Sequence, residues 1–431
     1  MTHRLTIWLV CLGASFIHSQ KPITKVNQDR LENRIFELAK FGLQTNGETE
    51  RVAFSEADVK ARKWVIETLE KQGLEVSIDF AGNIVAFRKG IKSGLKPISF
   101  GSHIDRVPNG GNYDGCVGSM AALEVIETLN ENKINTKHPL EVIIFSNEEG
   151  GVMGSRAMSG HLGKGALEVV NSTGFSMGEG IMRLGGDTTR IADVHRKKGD
   201  MAAFLELHIE QGGILEKENL NIGIVEGIVG LKWWDVVFTG FANHAGTTPM
   251  NVRQDALLAA AKFIVAVNEV TNSFEGSQVG TVGRIKAAPG APNVIPGKVV
   301  TSLEIRDLSS AVIENVFQAI KTKGEEIAAQ SNITIEFRPL DTTAAPALTD
   351  MAIQKEIETS ATKLKLTHKY MPSGAGHDAQ DMATIAPTGM IFVPSKGGIS
   401  HSPKEFTSAK DMANGANVLL QTLLALDKKL D

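Results

Sequence analysis

Apolar and polar positions along this chain follow two rhythms. Over 31–43 and 56–72 apolar residues recur at three- and four-residue steps, the spacing of a helix with one buried face. Stretch 74–87 alternates instead and carries Gly82, which predicts a hairpin. Four short apolar runs then end in polar residues. Run 97–101 leads into Ser102 and His103, and 140–145 into Ser146, Asn147, Glu148 and Glu149. Run 203–207 leads into His208, and 390–393 precedes a loop ending at His401. A helical stretch at 119–130 lies between the first two. Strands alternating with helices predict an α/β fold built on a sheet with helices on both faces. Ligands in such sheets bind outside the carboxyl ends of the strands, so four polar clusters at four strand ends predict one site.

The middle of the chain has a different order. Strand patterns at 233–239, 280–287, 298–307 and 333–338 are interleaved with helical patterns at 255–271 and 310–329. This predicts a small α+β unit, placed at 229–342 and inserted between two parts of a larger domain, 20–228 and 343–431. Residues 1–19 form a third segment. Arg4 precedes an apolar run over 5–17, and Ser19 offers a small residue for cleavage. That is the pattern of a signal peptide and predicts export to a periplasm, an endomembrane lumen or the outside; the alternative is a buried N-terminal helix. No later stretch reaches about 18 uninterrupted apolar residues, so no membrane span is expected.

Composition narrows the chemistry. Lys and Arg number 45 against 49 Asp and Glu, and without a basic excess nucleic acid is not the expected partner. Two cysteines, Cys11 and Cys116, exclude a Cys-rich zinc fold. Any metal must be held by His, Asp and Glu. His103 and Asp105 stand two apart, and Asp105 is expected to fix the imidazole tautomer. Asp114 follows in a glycine-rich loop. Glu148 and Glu149 are adjacent anions, which need a nearby cation or a raised pKa; one can be a ligand and the other a general base. With His208 and His401 the set holds three His and two carboxylates, enough for two metals sharing a carboxylate. Such sites polarise a carbonyl and activate water. Each His alone is more often a surface or hydrogen-bonded residue than a ligand; it is their joint placement in glycine-rich and strand-end motifs that argues for ligands.

The motifs GSHIDRVPNGGNYDG, SNEEG, LHIEQG, NHAGTTPM, APNVIPG, SGAGHDA and GGISHSP resemble those of the amidase/hydantoinase/carbamoylase branch of the di-metal peptidases. That branch includes N-carbamoyl-L-amino-acid hydrolases and allantoate and ureidoglycolate amidohydrolases. The resemblance spans nearly the whole chain after residue 20. It implies a di-metal aminopeptidase-like catalytic domain with an inserted lid and dimerisation domain, and a homodimer through that lid. It implies two divalent ions (Zn, Mn, Co or Ni). His103, Asp114 and His208 would hold one, and Asp114, Glu149 and His401 the other. It implies Glu148 as general base and His244 as the donor to the developing oxyanion, acting across the dimer. Gln211, Asn293, Arg306 and His377 are implied as contacts of a small carboxylate or ureide substrate. Arg306 suits a carboxylate by its forked donors, yet it also fits a salt bridge on a lid strand, and Pro292 and Asn293 also fit a plain turn.

One segment departs from the family pattern. Members commonly follow the Glu pair with Gly, any residue, Arg and an aromatic. Here Gly150, Gly151, Val152 and Met153 follow, and the run to Arg156 is shortened. This segment borders the substrate side, so it bears on substrate identity rather than on metal chemistry. The expected reaction is hydrolysis of a linear amide, foremost an N-carbamoyl-L-amino acid. Allantoate or ureidoglycolate hydrolysis and dipeptidase or aminoacylase activity are the enzymic alternatives. A binding protein that kept the fold without catalysis is the alternative of another class, and the complete ligand set with Glu148 speaks against it.

Overall fold

The computed structural model describes residues 23–44, 49–163 and 165–430. The segment read as a signal peptide lies outside them. Sixteen strands are present among the described residues: β1 (Glu75–Ile78), β2 (Ile84–Arg88), β3 (Ile98–His103), β4 (Leu140–Phe145), β5 (Ala203–Ile209), β6 (Ile222–Ile228), β7 (Gly230–Thr239), β8 (Asn243–His244), β9 (Val279–Thr281), β10 (Ile285–Ala288), β11 (Val294–Ile295), β12 (Lys298–Asp307), β13 (Thr334–Ala344), β14 (Ala347–Leu348), β15 (His368–Ser373) and β16 (Thr388–Val393). They form a nine-stranded mixed sheet, a five-stranded antiparallel sheet and a two-stranded ribbon.

The nine-stranded sheet runs β1-β2-β4-β3-β5-β16-β6-β14, with β15 also on β6. Its centre is parallel: β4, β3, β5 and β16 share one direction. These four are buried at every position, as expected of strands covered on both faces. The helix Cys116–Glu131 is buried nearly all round. It packs on β3 and β5 and beneath the helix Ala409–Lys429, and its acidic stripe, Glu124, Glu127 and Glu131, pairs with Arg30 and Arg34 of the helix Gln28–Ala39. Side-chain caps start the helices at sequence-predictable places. Ser55 accepts the Asp58 N–H to open Glu56–Lys71, and Ser408 accepts the Asp411 N–H to open Ala409–Lys429.

The five-stranded sheet runs β10-β12-β7-β13 with β9 also on β12. Alternate residues of β12 are buried, facing the helices Ala256–Ser273 and Ser310–Gln330 over a separate core in which Trp234 stacks on Phe317 at 4.2 Å. The single strand expected over 280–287 is two strands. The Gly283 N–H turns to the Ser302 Oγ and breaks the ladder between β9 and β10, as a glycine inside a strand permits. No helix among the described residues is long and apolar enough to cross a membrane.

Candidate metal centre and active site

All the polar clusters meet at the carboxyl end of the parallel strands. His103 ends β3, Glu148 and Glu149 follow β4, His208 is the last residue but one of β5, and the loop after β16 carries His401. Asp114 comes from the loop between β3 and the helix Cys116–Glu131. Its Oδ1 lies 3.6 Å from His103 Nε2 and 3.1 Å from His208 Nε2, and its Oδ2 lies 3.4 Å from His401 Nε2. Glu149 Oε2 is 3.4 Å from the same His401 nitrogen. Two triads result, His103–Asp114–His208 and Asp114–Glu149–His401, each with ligand atoms within 4.8 Å of one another. Both include Asp114, and together they comprise all five predicted ligands.

The donor set fits divalent cations on two further observations. His103 Nε2 is buried and has no hydrogen-bond partner. The carboxylates are also in electrostatic conflict as they stand. Burial, with Asp378, Glu149 and Asp105 nearby, holds Glu148 well above the usual carboxylate range against the pull of His103. Burial and Asp114 push Glu149 up to about 7. Burial would lower His103, but Glu148, Asp105 and Asp114 outweigh it and hold the ring well above its ordinary value. The hydrogen bond to Asp114, against partial burial, brings His401 to about 9. Cations between these groups would relieve the conflict by taking the place of the surplus protons.

Surrounding groups fix the ligands. The Ile209 carbonyl lies 2.9 Å from His208 Nδ1, which leaves Nε2 toward Asp114. His103 Nδ1 is 3.2 Å from the Asp105 backbone carbonyl, and the Asp105 carboxylate stands back at 3.6 Å. The expected carboxylate–imidazole clamp is therefore replaced by a backbone one. The Asp105 carboxylate instead accepts the backbone N–H groups of Glu148 at 3.3 Å and Glu149 at 3.1 Å, fixing the turn that aims the Glu pair. Gly115, with φ +62°, lies so close to His103 that a Cβ there would sit 2.3 Å from Nε2, so this turn requires glycine.

Glu405 escaped the sequence analysis. It is buried, and its Oε1 accepts the backbone N–H groups of Tyr113 at 2.8 Å and Asp114 at 3.0 Å. Ser400 Oγ lies 2.9 Å from its Oε2 and 2.8 Å from Asp114 Oδ2. One carboxylate thus ties the Asp114 loop to the His401 loop. A Cβ on Gly111 would meet its Oε1 at 2.2 Å, so the glycine-rich loop is shaped around Glu405. The available signal was a carboxylate four residues past His401, just beyond the GGISHSP motif.

The substrate contacts divide. Arg306 and His377 line a cavity of about 310 Å³ together with Asp114, Glu148, Glu149 and His401. Arg306 donates Nε to Glu304 Oε1 at 2.7 Å and Nη1 to the Gly374 carbonyl at 2.8 Å, so it is both a strand ion pair and a cavity wall. His377 is buried against His208, ring centroids 4.4 Å apart; burial and that neighbour hold it well below its ordinary value. Gln211 also lines the cavity, but its Nε2 is engaged by Asp114 Oδ2 at 2.6 Å. His244 and Asn293 are not brought to the cavity. His244, on exposed β8, pairs with Val294 of β11, and the Asn293 carbonyl accepts the Ala245 N–H in a turn. A further cluster, Glu206–His208–His377, has its carboxylate oxygens occupied by Ser102 Oγ and the Ala379 N–H, and acts as a hydrogen-bonded floor.

Shared-carboxylate triads at the strand ends of an α/β sheet, with a free glutamate beside them, define a hydrolase site of the metal-dependent kind. Residues 99–425 match the model of Peptidase family M20/M25/M40. The chain is 39% identical over 406 residues to an N-carbamoyl-L-amino acid amidohydrolase of Geobacillus stearothermophilus, covering 93% of this chain and 99% of that one. It is 38% identical to a ureidoglycolate hydrolase of Arabidopsis thaliana, covering 93% and 87%. The crystal structure of an amidase of the hydantoinase/carbamoylase family from Burkholderia multivorans superposes with a TM-score of 0.88 at 35% identity, covering 94% and 99%. The chain belongs to the M20/M25/M40 peptidase family, within its hydantoinase/carbamoylase amidases.

Proposed function

We propose that the protein hydrolyses linear ureides, foremost an N-carbamoyl-L-amino acid to the amino acid, carbon dioxide and ammonia. The observation that carries this reading is the pair of triads joined by Asp114 with Glu148 beside them, in a chain aligned almost end to end with an N-carbamoyl-L-amino acid amidohydrolase. His103, Asp114 and His208 would hold one divalent ion and Asp114, Glu149 and His401 a second. Bound there, such ions polarise the scissile carbonyl and lower the pKa of water.

Glu148 does the proton work. Its Oε2 lies 3.5 Å from His103 Nε2, at the edge of the ligand set rather than within a triad. It takes a proton as water attacks the carbamoyl carbon and returns it to the amino-acid nitrogen as the C–N bond breaks. Arg306 holds the substrate carboxylate from the lid side of the cavity. His244 supplies the oxyanion donor. Its Nδ1 accepts the N–H groups of Gly246 at 3.0 Å and Thr247 at 3.2 Å, which puts its proton on Nε2, ready to donate. Because His244 and Asn293 stand on an exposed ribbon away from this chain's own cavity, we assign them to the site of a second copy. Exposed Phe241 and Met250, close in sequence to that ribbon, and Leu258, beside Met250, supply an apolar surface for a homodimer.

The near-equal identity to a ureidoglycolate hydrolase supports that ureide, or allantoate, as the second reading. Both are tested together. The purified protein is stripped with chelator, reloaded with Mn, Zn or Co, and assayed for ammonia release from a ureide panel. Activity lost on stripping and restored by metal is expected, highest on an N-carbamoyl-L-amino acid. No release from any ureide with metals bound overturns the reading. Export belongs to the same proposal and rests on the pattern of residues 1–20; recovery of the protein in the cytosolic fraction of its cell would refute it.

A further inference from the structure

The cavity holds a second guanidinium that the mechanism leaves without a task. Arg156 lines the same space as Arg306, from a different wall. Arg306 comes from β12 of the five-stranded sheet. Arg156 comes from the helix Met153–Ser159, which begins directly after the shortened segment behind the Glu pair. That segment turns sharply, with Gly151 at φ +112° and Val152 at φ +52°, and so sets the start of the helix against the cavity.

The local environment leaves Arg156 under-occupied. Its ion pair among the described residues is with Asp381, whose Oδ2 lies 3.6 Å from Nε, longer than a hydrogen bond. The other oxygen of Asp381 is engaged by His161 Nδ1 at 3.0 Å and Ser159 Oγ at 3.1 Å. The Arg156 side chain keeps 37% of its surface exposed. Of the remaining acids of the cavity, Asp114 and Glu149 belong to the histidine triads and Glu148 faces His103. Arg306 is already tethered through Nε and Nη1, and its position suits one carboxylate. A second guanidinium on the opposite domain matches a second anionic group, since a planar fork of donors is best satisfied by its own carboxylate.

We propose that Arg156 is a specificity-determining residue and that the substrate is a dianionic ureide, an N-carbamoyl amino acid with an acidic side chain. The α-carboxylate goes to Arg306 and the side-chain carboxylate to Arg156. This rests on the ureide reading above and narrows it.

The test compares N-carbamoyl-L-glutamate with N-carbamoyl-L-glutamine on the metal-loaded enzyme. The two differ in charge and hardly in size. The wild type is expected to favour the glutamate compound at least tenfold in kcat/KM. Arg156→Gln is expected to erase that ratio, raising KM for the acid at least tenfold more than KM for the amide, and Arg156→Lys to restore part of it. A calorimetric Kd for glutarate, a dianion with no bond to hydrolyse, should weaken in parallel in Arg156→Gln. Turnover of the glutamine compound with no preference for the acid in the wild type overturns this proposal and leaves the ureide reading standing. So does an equal loss on both substrates in Arg156→Gln, which would mean that both arginines grip one carboxylate. No turnover of any ureide with metals bound overturns both.

Discussion

In the nine-stranded sheet β3, β4, β5 and β16 are buried at every position, whereas β12 in the five-stranded sheet buries only alternate residues. A strand covered on both faces has nowhere along its length to show a reactive group. Polar chemistry is confined to its end, where the chain leaves the sheet. His103, Glu148, Glu149 and His401 all stand at such ends, backed by a continuous apolar core. The half-covered sheet works otherwise. It can offer side chains from its open face and its ribbon, and it contributes Arg306 to the cavity and His244 to the surface. In our reading the first region supplies the chemistry and, through Arg156, one hold on the substrate, while the second supplies Arg306 and a donor for a neighbouring copy.

Substitutions can break that division of labour. The largest effect is expected from Glu148→Gln, with kcat down by about 10²–10⁴-fold and metal content, read by elemental analysis, unchanged. Retained turnover would remove Glu148 from the proton path. Next comes His244→Ala on the half-covered side, expected to lower kcat by about 10²–10³-fold. Mixing inactive Glu148→Gln and His244→Ala chains should then regain activity, since a mixed dimer contains one site with both residues; no recovery would place His244 outside a shared site. The smallest of the three is Glu405→Ala, behind the sheet ends. Losing the acceptor for the Tyr113 and Asp114 N–H groups should weaken metal affinity by about 10–100-fold, with Glu405→Gln closer to wild type because one oxygen remains. Equal metal affinity in both would show that the Asp114 loop holds its shape unaided.

The sequence carried much of this, unevenly. Apolar run 140–145 coincides with β4, because a strand buried on both faces reads as a nearly continuous apolar block, interrupted here by Glu141, whose charge is met by Arg196. The five ligands were legible because glycine-rich and strand-end motifs surround each. β6 and β15 went unread. Gly223 and Gly227 dilute the first, and Pro372 and polar residues the second, and pairing in the sheet overrides weak local preference. Asp105 was assigned the right neighbourhood and the wrong partner, since sequence does not show whether a carbonyl or a carboxylate will reach an imidazole first. Glu405 was invisible for the same kind of reason: its partners are backbone N–H groups nearly 300 residues away in sequence.

That last separation bears on the order in which the protein comes into being. The ligands run from His103 to His401, and β16, which precedes the last of them, inserts between β5 and β6 rather than adding to an edge. A chain emerging from the ribosome can pair β3 with β4 and β5 early, but the gap beside β5 stays open until some 390 residues have been made. Only then do His401 and Glu405 close over Asp114. Completion of the Asp114–Glu149–His401 triad is therefore a late event in biogenesis, and in our reading metal held there would certify that the C-terminal part of the chain has been synthesised and threaded into place.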